Sequence, residues 1–387
     1  MYDWKKAALD FGVSYNGFAD KDYVRSRMCN GVDAYATLRS KSSWPENFMY
    51  RVSVSYGYSK ERNALYKAMG MHDFGIDATF GPSLRHGGKV LVDVGLEMES
   101  YSGPVSSLSG AFYAVPRYVW SKGRFKVDAG VRVSVLMGGD ALKGKGQVVY
   151  PAVKMNLDIL PEAMRMYLNV GGGDKLLNYR DMLKDNPHFD LSYGLDGLFT
   201  VPGVSAERIS ASVGLAGRVG SFFSYDLRGG YVNYKNSPLA AAVPLSDGGY
   251  RPALAYSAYE KAFAAFDWRF HIRHLRFDGA IEYTYSWGID GLYVISPAVL
   301  TGNASLLYDW NRRIYAGVDC RFSTSRASEI GFVMPWYADA GVYAEYVVNS
   351  KISVWLRGGN LLNMEIQRSP LFAEKGINFT AGICLTF

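Results

Sequence analysis

Cysteine is scarce in this chain of 387 residues: its 3 thiols, Cys29, Cys320 and Cys384, lie far apart and are odd in number. That excludes a disulfide scaffold. Without CxxC or Cys/His spacing there is no metal-ligand pattern either, so the thiols read as unpaired and packed. A clustered basic face is also missing. The 42 Lys and Arg are dispersed among 36 Asp and Glu, for a net charge of +6. A nucleic-acid partner calls for a concentrated basic patch, so none is expected. No run of about 18 apolar residues occurs, so no transmembrane helix is encoded. The first residues, Met1 to Lys6, lack the apolar core of a signal peptide. The chain is therefore expected to be either cytosolic or a mature or trimmed form, and the pattern described next favours the second.

Against these absences stand 49% hydrophobic and 15% aromatic residues, with 42 Gly and 29 Tyr. Such content excludes disorder. Mean hydropathy is -0.06, which argues for a soluble protein only if a membrane crossing must be helical. A strand with one polar and one apolar face averages to neutral.

That alternation runs through the chain. From Lys126 to Val135, Lys126, Asp128, Gly130, Arg132 and Ser134 alternate with Val127, Ala129, Val131, Val133 and Val135. A repeat of two residues means a strand with two unlike faces. The same pattern fills Lys89 to Glu99, with Leu91 as its exception, then Leu275 to Ser286 and Arg313 to Phe322. Many runs reach about 10 to 13 residues, longer than the usual soluble strand and matched to a tilted bilayer crossing.

Connections alternate in length. Short turns at 85–88, 122–123, 161–162, 219–221, 271–274, 310–312 and 349–350 are interleaved with long stretches at 171–206, 236–256, 287–301, 323–339 and 360–376. Short turns on one side and long loops on the other describe an all-β, antiparallel up-and-down transmembrane β-barrel with short periplasmic turns and long extracellular loops. The count comes to about 18 strands, even as closure requires, in one barrel domain covering 1–387. Counting Phe189 to Val201 as a further strand breaks the alternation, so it is read as loop. The 171–206 insertion is long enough to fold inward or to build a lid, and Asp174 to Lys184 within it reads as a short helix.

The polar faces supply the candidate lumen lining: Asp93, Glu97, Lys126, Asp128, Arg132, Arg276, Asp278, Glu282, Arg313, Asp319, Arg321 and Arg357. Both signs are interleaved, as expected of residues that pair across neighbouring strands in water, and selectivity of passage would come from them. Tyr and Trp settle at headgroup depth, and Phe266, Trp268 and Phe270 share one face just before the turn at His271. The final segment puts Ile377, Phe379, Ala381, Ile383, Leu385 and Phe387 on the lipid face. Of these, Phe379, Ile383, Leu385 and the terminal aromatic Phe387 read as a barrel-assembly signal.

Ahead of the last strand lies Val354-Trp-Leu-Arg-Gly-Gly-Asn-Leu-Leu-Asn363, followed by Glu374-Lys-Gly-Ile-Asn-Phe379. This resembles the C-terminal end of the TonB-dependent receptor barrels, especially Bacteroidota forms, over about 34 residues. The resemblance implies a Gram-negative outer-membrane location and a receptor-type barrel. A full receptor of that family has about 22 strands and a plug domain with an energy-coupling box, for which this chain is too short. It is expected to be a barrel fragment of a longer precursor or a reduced relative.

Catalysis requires a nucleophile with a partnered histidine. His86, His271 and His274 fall at expected periplasmic turns, and only His188, beside Asp185 and Asp190, lies in an extracellular loop. Gly171 to Gly173 lacks the Lys-Ser/Thr of a phosphate loop and reads as a flexible strand end. No enzyme activity, cofactor or metal is expected. The leading expectation is solute passage or receptor-like uptake. The second is a non-transporting barrel that scaffolds an outer-membrane complex with surface lipoproteins. Either way the expected partners are outer-membrane lipid and lipopolysaccharide, and the barrel-assembly machinery during biogenesis.

Overall fold

The computed structural model describes residues 2–4, 6–21, 26–41, 48–63, 68–84, 88–139, 142, 144–161, 163–185, 189, 192, 194–195 and 199–385. Strands dominate. The first half holds β1 (Tyr2–Asp3), β2 (Ala7–Lys21), β3 (Ser26–Ser40), β4 (Met49–Asn63), β5 (Met69–Gly81), β6 (Gly88–Ser102), β7 (Ser107–Lys122), β8 (Phe125–Gly138), β9 (Val149–Leu160) and β10 (Met164–Leu176). After the helix α1 (Tyr179–Asp185) come β11 (Val204–Val219), β12 (Phe223–Pro244), β13 (Tyr250–Ile272), β14 (Leu275–Trp287), β15 (Leu300–Trp310) and β16 (Ile314–Ser323). The chain continues with β17 (Arg326–Ala327), β18 (Val333–Met334), β19 (Tyr337–Asn349), β20 (Ile352–Gly359) and β21 (Asn378–Leu385). All but β17 and β18 belong to one 19-stranded sheet, in which β1 is a two-residue addition to β2.

The chain divides into two compact units: residues 1–155, 169–210 and 233–238, and residues 156–168, 211–232 and 239–387. In the first, β2 to β8 pair antiparallel with their sequence neighbours, with the register of β4 on β5 running unbroken from Met49↔Gly81 to Glu61↔Met69. In the second, β13 to β16, then β19 to β21, do the same. Cross-strand partners point to the same side, so the period-two pattern of each strand merges into continuous rows. One face is apolar and outward: Val131, Val133 and Val135 are exposed on β8, as are Phe379, Ile383 and Leu385 on β21. The opposite face gathers the charges.

Glycine and the aromatics are paired across strands. Gly95 faces Tyr113, Gly279 faces Trp268 and Gly382 faces Trp355 in register. In each pair the ring lies across the glycine, in the space a Cβ would need. The ring covers backbone that a strand glycine would leave bare.

Four boundaries differ from the sequence reading. β10 runs on to Leu176 and β11 starts at Val204, so the insertion is 177–203, shorter at both ends than 171–206. Gly171 to Gly173 therefore sit inside a paired strand, because sheet neighbours on both sides hold them extended. The helix lies at Tyr179–Asp185, and Asn178 Oδ1 caps it by accepting from the Asp181 amide at 2.7 Å. The 236–256 segment is largely strand: β12 and β13 reach 22 and 23 residues and turn at Gly248, whose φ of +84° favours glycine. Arg313 lies in the β15–β16 turn.

That long hairpin carries its own apolar cluster in the second unit. Ala241, Ala253, Ala255 and Val294 are buried together, and Ala242, Ile295 and Met334 form a second group against Tyr250 and Phe332. The backbone joins them: Ala242 N donates to Tyr293 O at 3.0 Å and Ile295 N to Ala240 O at 2.8 Å.

Candidate functional site

In the first unit the polar face of β6, β7 and β8 carries three of the expected lining residues, Asp93, Asp128 and Arg132, in two neighbouring networks. Arg117 donates to Asp93 through Nε at 2.6 Å and to Asp128 through Nη1 at 2.6 Å. Thr79 Oγ1 gives Asp93 a further bond at 2.7 Å. Arg132 stacks over the Tyr113 ring at 4.0 Å and donates to Asp174 O at 3.2 Å. Asp174 itself accepts from Ser134 Oγ at 2.9 Å and from the buried Tyr150 hydroxyl. Asp93, Arg117, Asp128, Arg132 and Asp174 line a cavity of about 620 Å³ that also takes in Lys154, Lys175 and Glu207. Glu97 shares this face, in register with Gly75 and Ala111. Lys126 is exposed at the start of β8, opposite Ser121, away from the cavity.

Arg117, Asp174 and Tyr150 were not among the sequence candidates. Parity alone points to Arg117, which follows Tyr113 and Val115 on the face of Asp93. Asp174 lay hidden because it was assigned to a loop.

Helix α1 docks on the same face. Asp33, Gly57, Asp73 and Glu99 form one row across β3 to β6. Arg180 of α1 reaches that row, with Nη1 2.5 Å from Asp33 Oδ1 and Nη2 2.9 Å from Asp73 Oδ2. Next to it Tyr179 is fully buried, takes a cation–π contact from Arg27 at 5.6 Å and donates its amide to Tyr101 Oη at 3.1 Å. Arg27 is in turn paired to the buried Glu61, Nε to Oε1 at 2.9 Å.

The second unit gathers five more candidates. Arg276, Asp278, Asp319, Arg321 and Arg357 line a cavity of about 870 Å³. Asp278 takes Arg276, and Arg269 Nε lies 3.4 Å away. Arg357 Nη2 is 3.6 Å from Asp319 Oδ2. Glu282 accepts from Thr284 Oγ1 at 3.2 Å and lines a smaller adjoining space of about 270 Å³. Arg313 is the exception: its turn holds it exposed and off the strand.

The Asn360-Leu-Leu-Asn363 element has a structural role. Buried Asn360 donates through Nδ2 to Met364 O at 2.8 Å and Lys375 O at 3.1 Å, closing both ends of the loop before β21. Its φ of +48° and that of Asn363, +50°, are conformations asparagine tolerates better than most residues.

Phe379, Ile383 and Leu385 share the apolar face of β21, while Phe387, His86, His188 and Asp190 lie outside the described residues.

No protein-family model matches the chain, and no curated protein does. Solved structures do. The iron transporter FrpB from Neisseria meningitidis (F5-1 variant, apoprotein form) superposes with a TM-score of 0.72 at 9% identity, covering 99% of this chain and 69% of that one. The copper transporter OprC gives 0.70 at 10% identity, over 99% and 70%. The siderophore receptor PirA from Acinetobacter baumannii gives 0.65 at 10% identity, covering 93% of this chain, which spans 63% of the receptor's length. The chain thus has the fold of the TonB-dependent receptor barrels.

Proposed function

We propose that this barrel passes small polar solutes inward across the outer membrane, in a receptor-like or channel-like manner, and that it catalyses no reaction. The carrying observation is the polar face, where charged side chains are gathered around cavities of about 620 and 870 Å³. A wall built only to scaffold has no need of charge organised around open space, whereas a permeation path uses fixed charges to set which ions enter. Barrels of the same fold serve as iron and copper transporters and as siderophore receptors, which favours uptake. On this reading lipid and lipopolysaccharide surround the apolar strands, and the barrel-assembly machinery engages β21.

Purified chain reconstituted in planar bilayers tests the proposal. Stable conductance steps are expected. Silence from protein shown to be folded by its heat-modifiable migration, together with no liposome swelling in small sugars, overturns it.

A further inference from the structure

We propose that the barrel wall built from β13 to β20 carries a subsite for a small oxyanion, a phosphate or carboxylate group of a passing solute, centred on Arg321. The inference deepens the passage reading and rests on it. Arg321 sits in a row that runs Asp267, Ala280, Asn303, Arg321, Asp339 across neighbouring strands. Two carboxylates therefore lie in its own row, and both are already engaged. Asp267 is bound by Arg228 of β12. Asp339 accepts from Arg368 Nη2 at 3.0 Å and from the Asn360 amide at 3.1 Å.

Arg321 is exposed to the cavity, and among the described residues no hydrogen bond or ion pair holds it. The row below does not supply a partner. Its two carboxylates, Asp278 and Asp319, face Arg269 and Arg276 in the first case and Arg357 in the second. The Arg357 contact, at 3.6 Å, is too long for a hydrogen bond and leaves that guanidinium's donors largely free. Five arginines thus line the cavity against four aspartates; from outside it Arg228 pairs Asp267 and Glu374 pairs Arg368, so one guanidinium charge is left in surplus. The surplus donors are planar N–H forks, the geometry that takes carboxylate and phosphate through two parallel bonds.

The open volume lies in the cavity itself, of about 870 Å³, which takes in both Arg321 and Arg357. The Asp319 carboxylate leans aside over Gly341, its partner in register, where a Cβ would come within 2.9 Å of its Oδ2.

Arginine labelling by phenylglyoxal on the full chain in detergent, read peptide by peptide by mass spectrometry, tests this without relying on conductance. In inorganic phosphate, Arg321 and Arg357 should label about tenfold more slowly than in chloride of equal ionic strength, the protection expected of one charge-assisted contact. Arg39, exposed and outside the cavity, should label alike in both salts. In Arg321→Gln the protection of Arg357 should disappear. Equal labelling of Arg321 in the two salts, equal protection of Arg39, or persistent protection of Arg357 in the variant each overturns the subsite. Protected arginines in a chain that gives neither conductance nor swelling leave the subsite standing and defeat the passage reading alone.

Discussion

Arg180 occupies the space that a side chain at Gly57 would fill. The guanidinium lies over β4 and is held from β3 by Asp33 and from β5 by Asp73, so the row Asp33, Gly57, Asp73 forms a slot with a carboxylate on each side and nothing in the middle. Helix α1 is latched through that slot. Arg180→Ala removes the latch and Gly57→Val fills the slot. Either should raise hydrogen exchange across α1 about tenfold, the loss of one charge-assisted contact in a partly wetted site. Both should also increase single-channel conductance. Unchanged exchange in both variants would show that other contacts hold the segment.

The latch should resist alkali. Burial works to lower the Arg180 pKa, but hydrogen bonds and charge from Asp33 and Asp73 outweigh it and raise the value above its ordinary level. A group whose pKa is raised on folding contributes stability that is fully present below its unfolded value and is lost only as pH climbs past the folded one. Protease sensitivity of 177–203 should therefore stay constant from neutral pH to about pH 10. A rise within that window would mean that a different group sets the docking.

Arg27 and Glu61 form an ion pair out of solvent, with side chains 8% and 0% exposed. Breaking such a pair strands a charge, at a cost of about 3–5 kcal/mol, whereas replacing both partners with apolar residues is often close to neutral. Glu61→Ala should lower the thermal midpoint of the folded band sharply, and Arg27→Met with Glu61→Met should recover most of the loss. Equal destabilisation by the single and double variants would place the cost elsewhere, in the loss of the Arg27 contact to Tyr179.

The last strand offers an assembly test. Phe379, Ile383 and Leu385 are exposed on one face of β21, as a lipid-facing edge requires. Phe387→Ser should reduce the share of chain that reaches the outer membrane several-fold while leaving the expressed total unchanged. Heat-modifiable migration at normal yield would remove the signal reading.

Much of this was legible from alternation alone. β14, Leu275 to Trp287, follows the alternating run Leu275 to Ser286 to within one residue, because polar and apolar positions alternate through nearly all of it and a tight turn precedes it. β12 and β13 were read short because Leu239 to Val243 and Ala253 to Ala255 are apolar on successive positions. Those residues pack on both faces, against the sheet and against the 288–299 segment, so the two-residue signal vanishes where both sides are buried. The charged lining was visible for Asp93, Asp278 and Arg321, which project from unbroken strands. Asp174 and Arg180 escaped notice because their roles depend on strands more than 30 positions away that no local pattern links to them.

The cluster that joins the β12–β13 hairpin to Ile295 and Met334 has a consequence in serological terms. Its members come from three separate stretches of chain, knitted by backbone bonds such as Ser296 N to Ala327 O at 3.0 Å. On the proposed function, with the long connections outward, the cell would show its surroundings a fixed relief there, assembled from distant sequence. An antibody or phage fibre selected on the intact cell would recognise that relief as a whole, and short peptides copied from the hairpin tip would fail to compete for it.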